Sequence, residues 1–134
     1  MNLDIEQVTA RTLEALKTVG LEGMEKKAPH HLSAGQKRAA AIATVLSMDP
    51  KIITMDELDT SLDPRSRNKL INLLKSLPQT LIIATCSMNF AARLCDRAIL
   101  VNNGKIIADG QTKNIMTDKT LMQNDGLEIV KVNE

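Results

Sequence analysis

Apolar positions Ile5, Val8, Leu13, Leu16 and Val19 recur on one helical stripe and stop at Gly20, which predicts a helix over 4–19. Leu21 to His31, broken by Gly23 and Pro29, reads as a loop. Ser33 then stands three residues before Gln36, the capping-box spacing, and Ala39, Ile42, Ala43 and Leu46 supply the buried face of a second helix that ends before Pro50. Lys51 to Met55 reads as a strand. Asp63-Pro64 is an N-cap followed by a proline at the first helical position. Leu70, Leu73, Leu74 and Leu77 form the stripe of that third helix, and Pro78 ends it. Thr80 to Thr85 is a short continuous apolar run, the pattern of a buried parallel strand. Met88 to Cys95 is a short helix. Ala98 to Val101 and Lys105 to Ala108 flank Asn102-Asn103-Gly104, a hairpin signal. Gln111 to Asn124 reads as helix, with a weak strand or loose chain after it. Strand, helix, strand, helix, strand is the order of a parallel α/β domain. Internal repeats and low-complexity segments are absent from the pattern.

At 134 residues the chain is one domain rather than two, with residues 1–50 helical and 51–134 carrying the strands. Hydrophobic residues make up 43% and charged residues 25%, as in a soluble globular protein. Phe90 is the sole aromatic among Phe, Tyr and Trp, so the core must be built from Leu, Ile, Val, Ala and Met. That argues against aromatic stacking platforms for single-stranded nucleic acid. A net charge of +1 gives no face a need for phosphate backbones, so no nucleic-acid partner is expected. Cys86, in a strand-like segment, and Cys95, in a helix-like one, lack metal spacing, and two cysteines do not make a disulfide scaffold. Reduced thiols in the cytosol are the simplest reading. No apolar run reaches the ~18 residues of a membrane span, and Met1 to Gln7 lacks a secretory pattern.

Two segments carry candidate chemistry. Asp56-Glu57 ends an apolar strand, and the carboxyl end of a parallel strand is where α/β sheets present residues to ligands. Adjacent carboxylates there can divide labour, one holding hydrated magnesium and the other orienting or deprotonating a water. The alternative is a solvated acidic turn. Ser33-Ala34-Gly35-Gln36 opens a helix whose first backbone N–H groups can hold an anion, although most such starts are only caps. His30 and His31, adjacent in sequence, do not converge on one metal from a regular element. Met48, Met55, Met88, Met116 and Met122 are core filling, and Lys37-Arg38 decorates the exposed side of the second helix.

Taken together the two segments are more specific. Leu32-Ser33-Ala34-Gly35-Gln36 resembles the signature motif of ATP-binding cassette (ABC) ATPases, Ile52 to Glu57 their Walker B strand, and Ser61-Leu62-Asp63 their D-loop, in the same order and spacing. His30-His31 before the signature and Asp63-Pro64-Arg65-Ser66-Arg67 after it look closest to ATPase subunits of cobalt/nickel-type or energy-coupling-factor importers. Cys95-Asp96-Arg97 and Asn103-Gly104-Lys105-Ile106 are similar to the tail of such a subunit. The resemblance covers nearly all of this chain and about the C-terminal half of the family domain. It implies a partial P-loop NTPase fold: a mostly parallel sheet with flanking helices and a C-terminal hairpin. It also implies Mg-ATP as the family's cofactor. Ser33, Ala34, Gly35 and Gln36 would face the γ-phosphate of a nucleotide on the opposite subunit. Asp56 would support magnesium, Glu57 would be the catalytic base, and Asp63 would link two sites across a dimer. The implied partners are a permease subunit, a second ATPase subunit, or a separate N-terminal half, with cytoplasmic, peripheral membrane association through the partner.

The departures fall at chemical positions. G-x-x-x-x-G-K-[ST] is absent, and with it the amide nest and lysine that cradle phosphates. Ala34 stands for the first signature glycine, which matters only if the backbone there needs positive φ. Leu58 stands for the proline after the catalytic glutamate, and Ser87 for the usual aspartate. Cys86, in Ala84-Thr85-Cys86-Ser87, falls where the family has its switch histidine and cannot make the same imidazole contact. The resemblance also implies that the Walker B strand pairs with the Thr80–Thr85 strand, and that a strand absent from this chain lies between that strand and Ala98–Val101. Three readings follow: an ATPase-subunit relative inactive alone, a complementing half that works with a P-loop chain, or a non-enzymatic interaction module or degenerate gene product.

Overall fold

A computed structural model describes residues 4–124 and Leu127. The chain divides into two compact units, Met1–Ile83 and Ala84–Glu134.

In the first unit, α1 (Ile5–Thr18) starts from an Asp4 capping box: the Asp4 carboxylate accepts from the Gln7 amide at 2.7 Å and Gln7 Oε1 accepts from the Asp4 amide. Gly20, at φ +72°, lets the chain turn back so that the Leu21 amide reaches the Leu16 carbonyl. Ala15 and Leu21 are buried, whereas Ile5, Val8 and Leu13 of the expected stripe are exposed. The buried face is thus the C-terminal half of α1, where it packs on α2 (Ala34–Leu46) through a side bearing Ile42 and Ala43. His30 and His31 form a single 3₁₀ turn with Pro29, their rings edge to face. Met48, expected in the core, is exposed, because α2 ends before it and the chain turns toward the strand through Asp49 at φ +53°.

β1 (Ile52–Asp56), α3 (Pro64–Ser76) and β2 (Thr80–Ala84) make a strand–helix–strand unit in which β1 and β2 pair in parallel, tied at their start by Thr80 N–H to the Lys51 carbonyl at 3.0 Å. Leu70, Ile71 and Leu74 are the buried stripe of α3. One expectation fails here. The second strand is not buried on both sides: exposure alternates along it, and Ile82 is 57% exposed. The same alternation runs along β1, where Ile53 is 3% and Ile52 57% exposed. A continuous apolar run is written for a sheet covered on both faces, and among the described residues one face of this pair is uncovered.

In the second unit α4 (Met88–Leu94), β3 (Arg97–Asn102), β4 (Lys105–Gln111), α5 (Thr112–Thr117) and α6 (Lys119–Asn124) follow one another. The hairpin is as expected. Asn102 pairs with Lys105 around Asn103 and Gly104, both at positive φ, the geometry that matches strand twist. A bulge between Leu100 and Val101 shifts the register, and Arg97 grips Asp109 with two bonds of 2.8–2.9 Å. β4 runs on to Gln111. The expected helical tail is two short helices interrupted at Asp118, whose side chain accepts from the Leu121 amide and starts the second. The chain after 127 lies outside the described residues. Met88, Met116 and Met122 pack with Ala91, Ala92, Ala98 and Leu127, so these three methionines do fill a core. The β1–β2 and β3–β4 pairs are separate sheets.

Candidate functional site

Ser33 caps α2 reciprocally. Its hydroxyl accepts from the Gln36 amide at 3.2 Å, and Gln36 Oε1 accepts from the Ser33 amide at 3.0 Å. Gln36 Nε2 also reaches the Met24 sulfur. Ala34 is the first residue of the helix and lies outside the positive-φ set, so alanine costs no strain in place of glycine. Gly35 is helical too, with open space where a Cβ would stand. The segment Ser33–Gln36 therefore presents the first turn of a helix, exposed apart from the half-buried Gln36. Nearby, a cavity of about 350 Å³ is lined by Leu16, Leu21, Met24 and Leu32 together with polar residues such as Glu25 and Lys27, and it carries none of the candidate chemistry.

Asp56 is exposed at the last position of β1, and Glu57 follows at φ +48°. The left-handed region costs an ordinary residue roughly 1–2 kcal/mol, so the turn must hold Glu57 there. It does so by the Thr60 amide on the Glu57 carbonyl and by Thr60 Oγ1 donating to Glu57 Oε2 at 3.0 Å. Ser61, at φ +60°, is a second left-handed residue in the same turn. The turn is fastened from outside: Arg38 Nη2 donates to the Thr60 carbonyl at 3.0 Å. Arg38 was expected as an exposed decoration. It is half-buried, because the second helix runs past this turn. Asp59, buried, faces Arg67 at 3.7 Å, which joins the turn to α3. Sequence reasoning gave Asp59 and Thr60 no role, and named Arg38 only as decoration and Arg67 only within the run that carries the resemblance. Arg67 stands one turn after the Asp63 cap, and a basic residue one turn into a helix was the only signal available.

Asp63 caps α3. Its Oδ1 accepts from the Arg65 and Ser66 amides at 2.9 and 3.0 Å, and its Oδ2 from the Ser66 hydroxyl. The Ser66 hydroxyl first, then the two amides, hold the exposed Asp63 carboxyl below the ordinary value of 3.8. Ser33, Asp56, Glu57 and Asp63 thus share the first unit, the last three on one turn. Cys86 lies in the second unit, in an exposed bend after β2 rather than in a strand, and Cys95 is the C-cap of α4. β2 ends at Ala84 because Thr85 and Ser87 prepare a helix start: the Ser87 amide donates to Thr85 Oγ1, and Ser87 Oγ caps Phe90. Burial first, and then Asp96, push the Cys95 thiol up.

Magnesium binds proteins through one or two carboxylates with phosphates and waters completing its shell. Asp56, exposed and terminal on its strand, suits that single role. Among the described residues no group of three or more His, Cys, Asp or Glu could hold a metal alone. A helix long and apolar enough to cross a membrane is also absent among them.

A family model described as "AAA domain, putative AbiEii toxin, Type IV TA system" matches residues 11–92. The energy-coupling factor transporter ATP-binding protein EcfA of Methanocaldococcus jannaschii is 38% identical over 135 residues, which cover 98% of this chain and 48% of EcfA. A Synechocystis protein assigned to the ABC transporter ATP-binding proteins is 42% identical over 128 residues, covering 96% of this chain and 45% of its own length. CbiO1 of Clostridium perfringens, part of the ABC transporter complex CbiONQ, superposes with a TM-score of 0.81 at 34% identity over 92% of this chain and 51% of CbiO1. The chain belongs to the ABC ATPase family. It has the α/β fold of the P-loop NTPase domain in part, and it spans about half the length of the curated relatives it matches. In this ABC ATPase segment Asp56, beside the half-buried Glu57, and the capped start of α2 expose candidate chemistry.

Proposed function

We propose that this ABC ATPase chain supplies the second half of an ATP site in an importer ATPase of the cobalt/nickel or vitamin type. In that reading Ser33, Ala34, Gly35 and Gln36 meet the γ-phosphate of a nucleotide on an opposing subunit, and Asp56 supports its magnesium. Glu57 is the base, and Asp63 links two sites. The observation that carries the reading is the Glu57 turn: a carboxylate held at φ +48° at the end of a strand, fastened by Thr60 and Arg38 to the helix that Ser33 opens. Left-handed residues held against their preference cluster at functional sites.

The residues present do not suit ATP by themselves. A phosphate is held by a nest of amides and a lysine, and the sequence has no such loop. We therefore assign no hydrolytic step to the chain alone. Its partners are a permease subunit, a second ATPase subunit, or a polypeptide bearing the P-loop, with peripheral attachment at the cytoplasmic side of a membrane through them. Cys86 at the switch position makes turnover weak even then.

The purified chain should show no Glu57-dependent Mg-ATP hydrolysis. If hydrolysis by the pure chain is lost in Glu57→Gln, the half-site reading is wrong. Joined to a P-loop half, the chain should hydrolyse ATP, and Glu57→Gln should lower kcat at least ~100-fold, the scale of a lost general base.

A further inference from the structure

We propose that Arg38 is a positioning residue for Glu57. From α2 its guanidinium fixes the Thr60 carbonyl, and Thr60 in turn fixes the Glu57 carboxylate. The proposal rests on the reading of Glu57 as the base and adds what holds that base in place.

The turn after β1 is disfavoured by its own backbone. Glu57 at φ +48° and Ser61 at φ +60° both sit in the left-handed region, and neither is glycine. Two amide bonds within the turn, from Thr60 to the Glu57 carbonyl and from Leu62 to the Asp59 carbonyl, are long at 3.3 Å each. Such a conformation persists only where the surroundings over-determine it. Asp59, buried, meets Arg67 of α3 at 3.7 Å, beyond the reach of a direct hydrogen bond. The bond from Arg38 Nη2 to the Thr60 carbonyl is tighter, at 3.0 Å, and its donor is charged.

Thr60 turns that backbone anchor into a side-chain one. A β-branched residue is stiff at χ1, so fixing the Thr60 backbone restricts its hydroxyl. That hydroxyl donates to Glu57 Oε2 at 3.0 Å. A glutamate on a turn otherwise samples several rotamers. Here one carboxylate oxygen is tied to the residue whose carbonyl Arg38 holds. Arginine suits this place: a guanidinium is planar and weakly hydrated, and Arg38 is half-buried. Lys37 beside it is exposed.

The test is NMR on the full chain without nucleotide, comparing the parent with Arg38→Met, Arg38→Lys, Thr60→Val and Lys37→Met. Methionine keeps much of the arginine stem, and valine keeps the shape of threonine without its hydroxyl. The signals read are the strong intraresidue amide–Hα NOE of a left-handed Glu57, the Glu57 carboxylate carbon shift, and amide exchange at Thr60. Arg38→Met should weaken the NOE, move the carboxylate shift and quicken Thr60 exchange ~10-fold, the scale of one charge-assisted hydrogen bond. The amides of Ile42 and Ile71, inside α2 and α3, should quicken less. Arg38→Lys keeps a charged donor and should recover most of the parent signals. Thr60→Val should move the carboxylate shift alike. Added to Arg38→Met it should move that shift little further, because the two residues act in series. Lys37→Met should leave every signal as in the parent.

The proposal is overturned if the Glu57 signals of Arg38→Met match the parent, if the two substitutions add in full, or if Arg38→Lys restores nothing. It is also overturned if Arg38→Met quickens all amides alike or unfolds the chain, since the guanidinium would then support the whole unit rather than Glu57. Glu57 signals that follow Arg38, in a chain whose form joined to a P-loop half never hydrolyses ATP, uphold the positioning and defeat the catalytic reading instead.

Discussion

The two strand pairs of this chain are built on opposite terms. β3 and β4 close on themselves: a two-residue turn at Asn103-Gly104 sets the register, Arg97 and Asp109 clasp the far end, and no third element is needed to align them. β1 and β2 are joined through α3, the helix that carries the chain from one to the other. The Thr80 amide on the Lys51 carbonyl ties their start. The hairpin needs packing for stability, whereas the parallel pair needs it for its very arrangement. The carboxylates with candidate chemistry sit on the dependent pair, at the mouth of β1. A site placed there is only as ordered as the helix behind it and the turn that holds Glu57.

The sharpest way to break the comparison is to remove the packing under the crossover. Leu74 is 1% exposed. Leu74→Ala should cost about 2–5 kcal/mol, the range for a buried leucine truncated in a rigid core, read as a lower urea midpoint in far-UV circular dichroism. An effect below ~1 kcal/mol would mean that α3 does not carry the strand pair. Truncation at the exposed Ile99 of β3 should change the midpoint little.

The same contrast explains what was legible in the sequence. Helix starts were readable because their signals are local: Ser33 with Gln36, Asp63 with Pro64. The hairpin was readable for the same reason. The burial of β2 was not, since an apolar run is written for a sheet covered on both faces, and exposure alternates along this strand. The helical tail failed at one residue, Asp118, which restarts rather than continues the helix. At the site, the carboxylates and caps could be named from residue types. The Arg38–Thr60–Glu57 chain could not, because it joins positions 22 residues apart through a backbone carbonyl, an acceptor every residue offers. Glu57 and Ser61 at positive φ were invisible for a related reason: neither residue type favours that conformation.

A smaller effect is expected at the α2 cap. Ser33→Ala removes the acceptor for the Gln36 amide and frees the Gln36 side chain from its return bond. The loss should be about 1 kcal/mol, seen as faster amide exchange over the first turn of α2, with Ser33→Thr retaining most of the protection. On the hairpin side, Gly104 holds φ +74° with open space around it. Gly104→Ala therefore tests backbone strain alone, at about 1 kcal/mol, and should loosen the β3–β4 amides. If Ser33→Ala loosened more than its own first turn, the Arg38 link from α2 to the Glu57 turn would be transmitting the change.

The smallest effect separates the two regions by acid. Asp63 in the first unit and Asp109 in the second both have carboxyls held below the ordinary 3.8, the first by the Ser66 hydroxyl and neighbouring amides, the second by the Arg97 guanidinium. A lowered folded-state value means the folded protein resists protonation, so each carboxylate stabilises fully above the ordinary value. That stability is lost as pH falls through the lowered one. Melting temperature should therefore fall below about pH 4, and the fall should be shallower in Asp63→Asn and in Asp109→Asn than in the parent. Salt tells the two apart. The Arg97–Asp109 pair is an exposed charge pair and is screened within ~3 Å at 1 M. The partners of Asp63 are neutral hydrogen-bond donors at contact distance. At 1 M salt the acid-limb difference between parent and Asp109→Asn should shrink in part, to what the two Arg97 hydrogen bonds hold, while that for Asp63→Asn persists unchanged. Equal shrinkage of both would show that the α3 cap acts through long-range charge and not through its three short bonds.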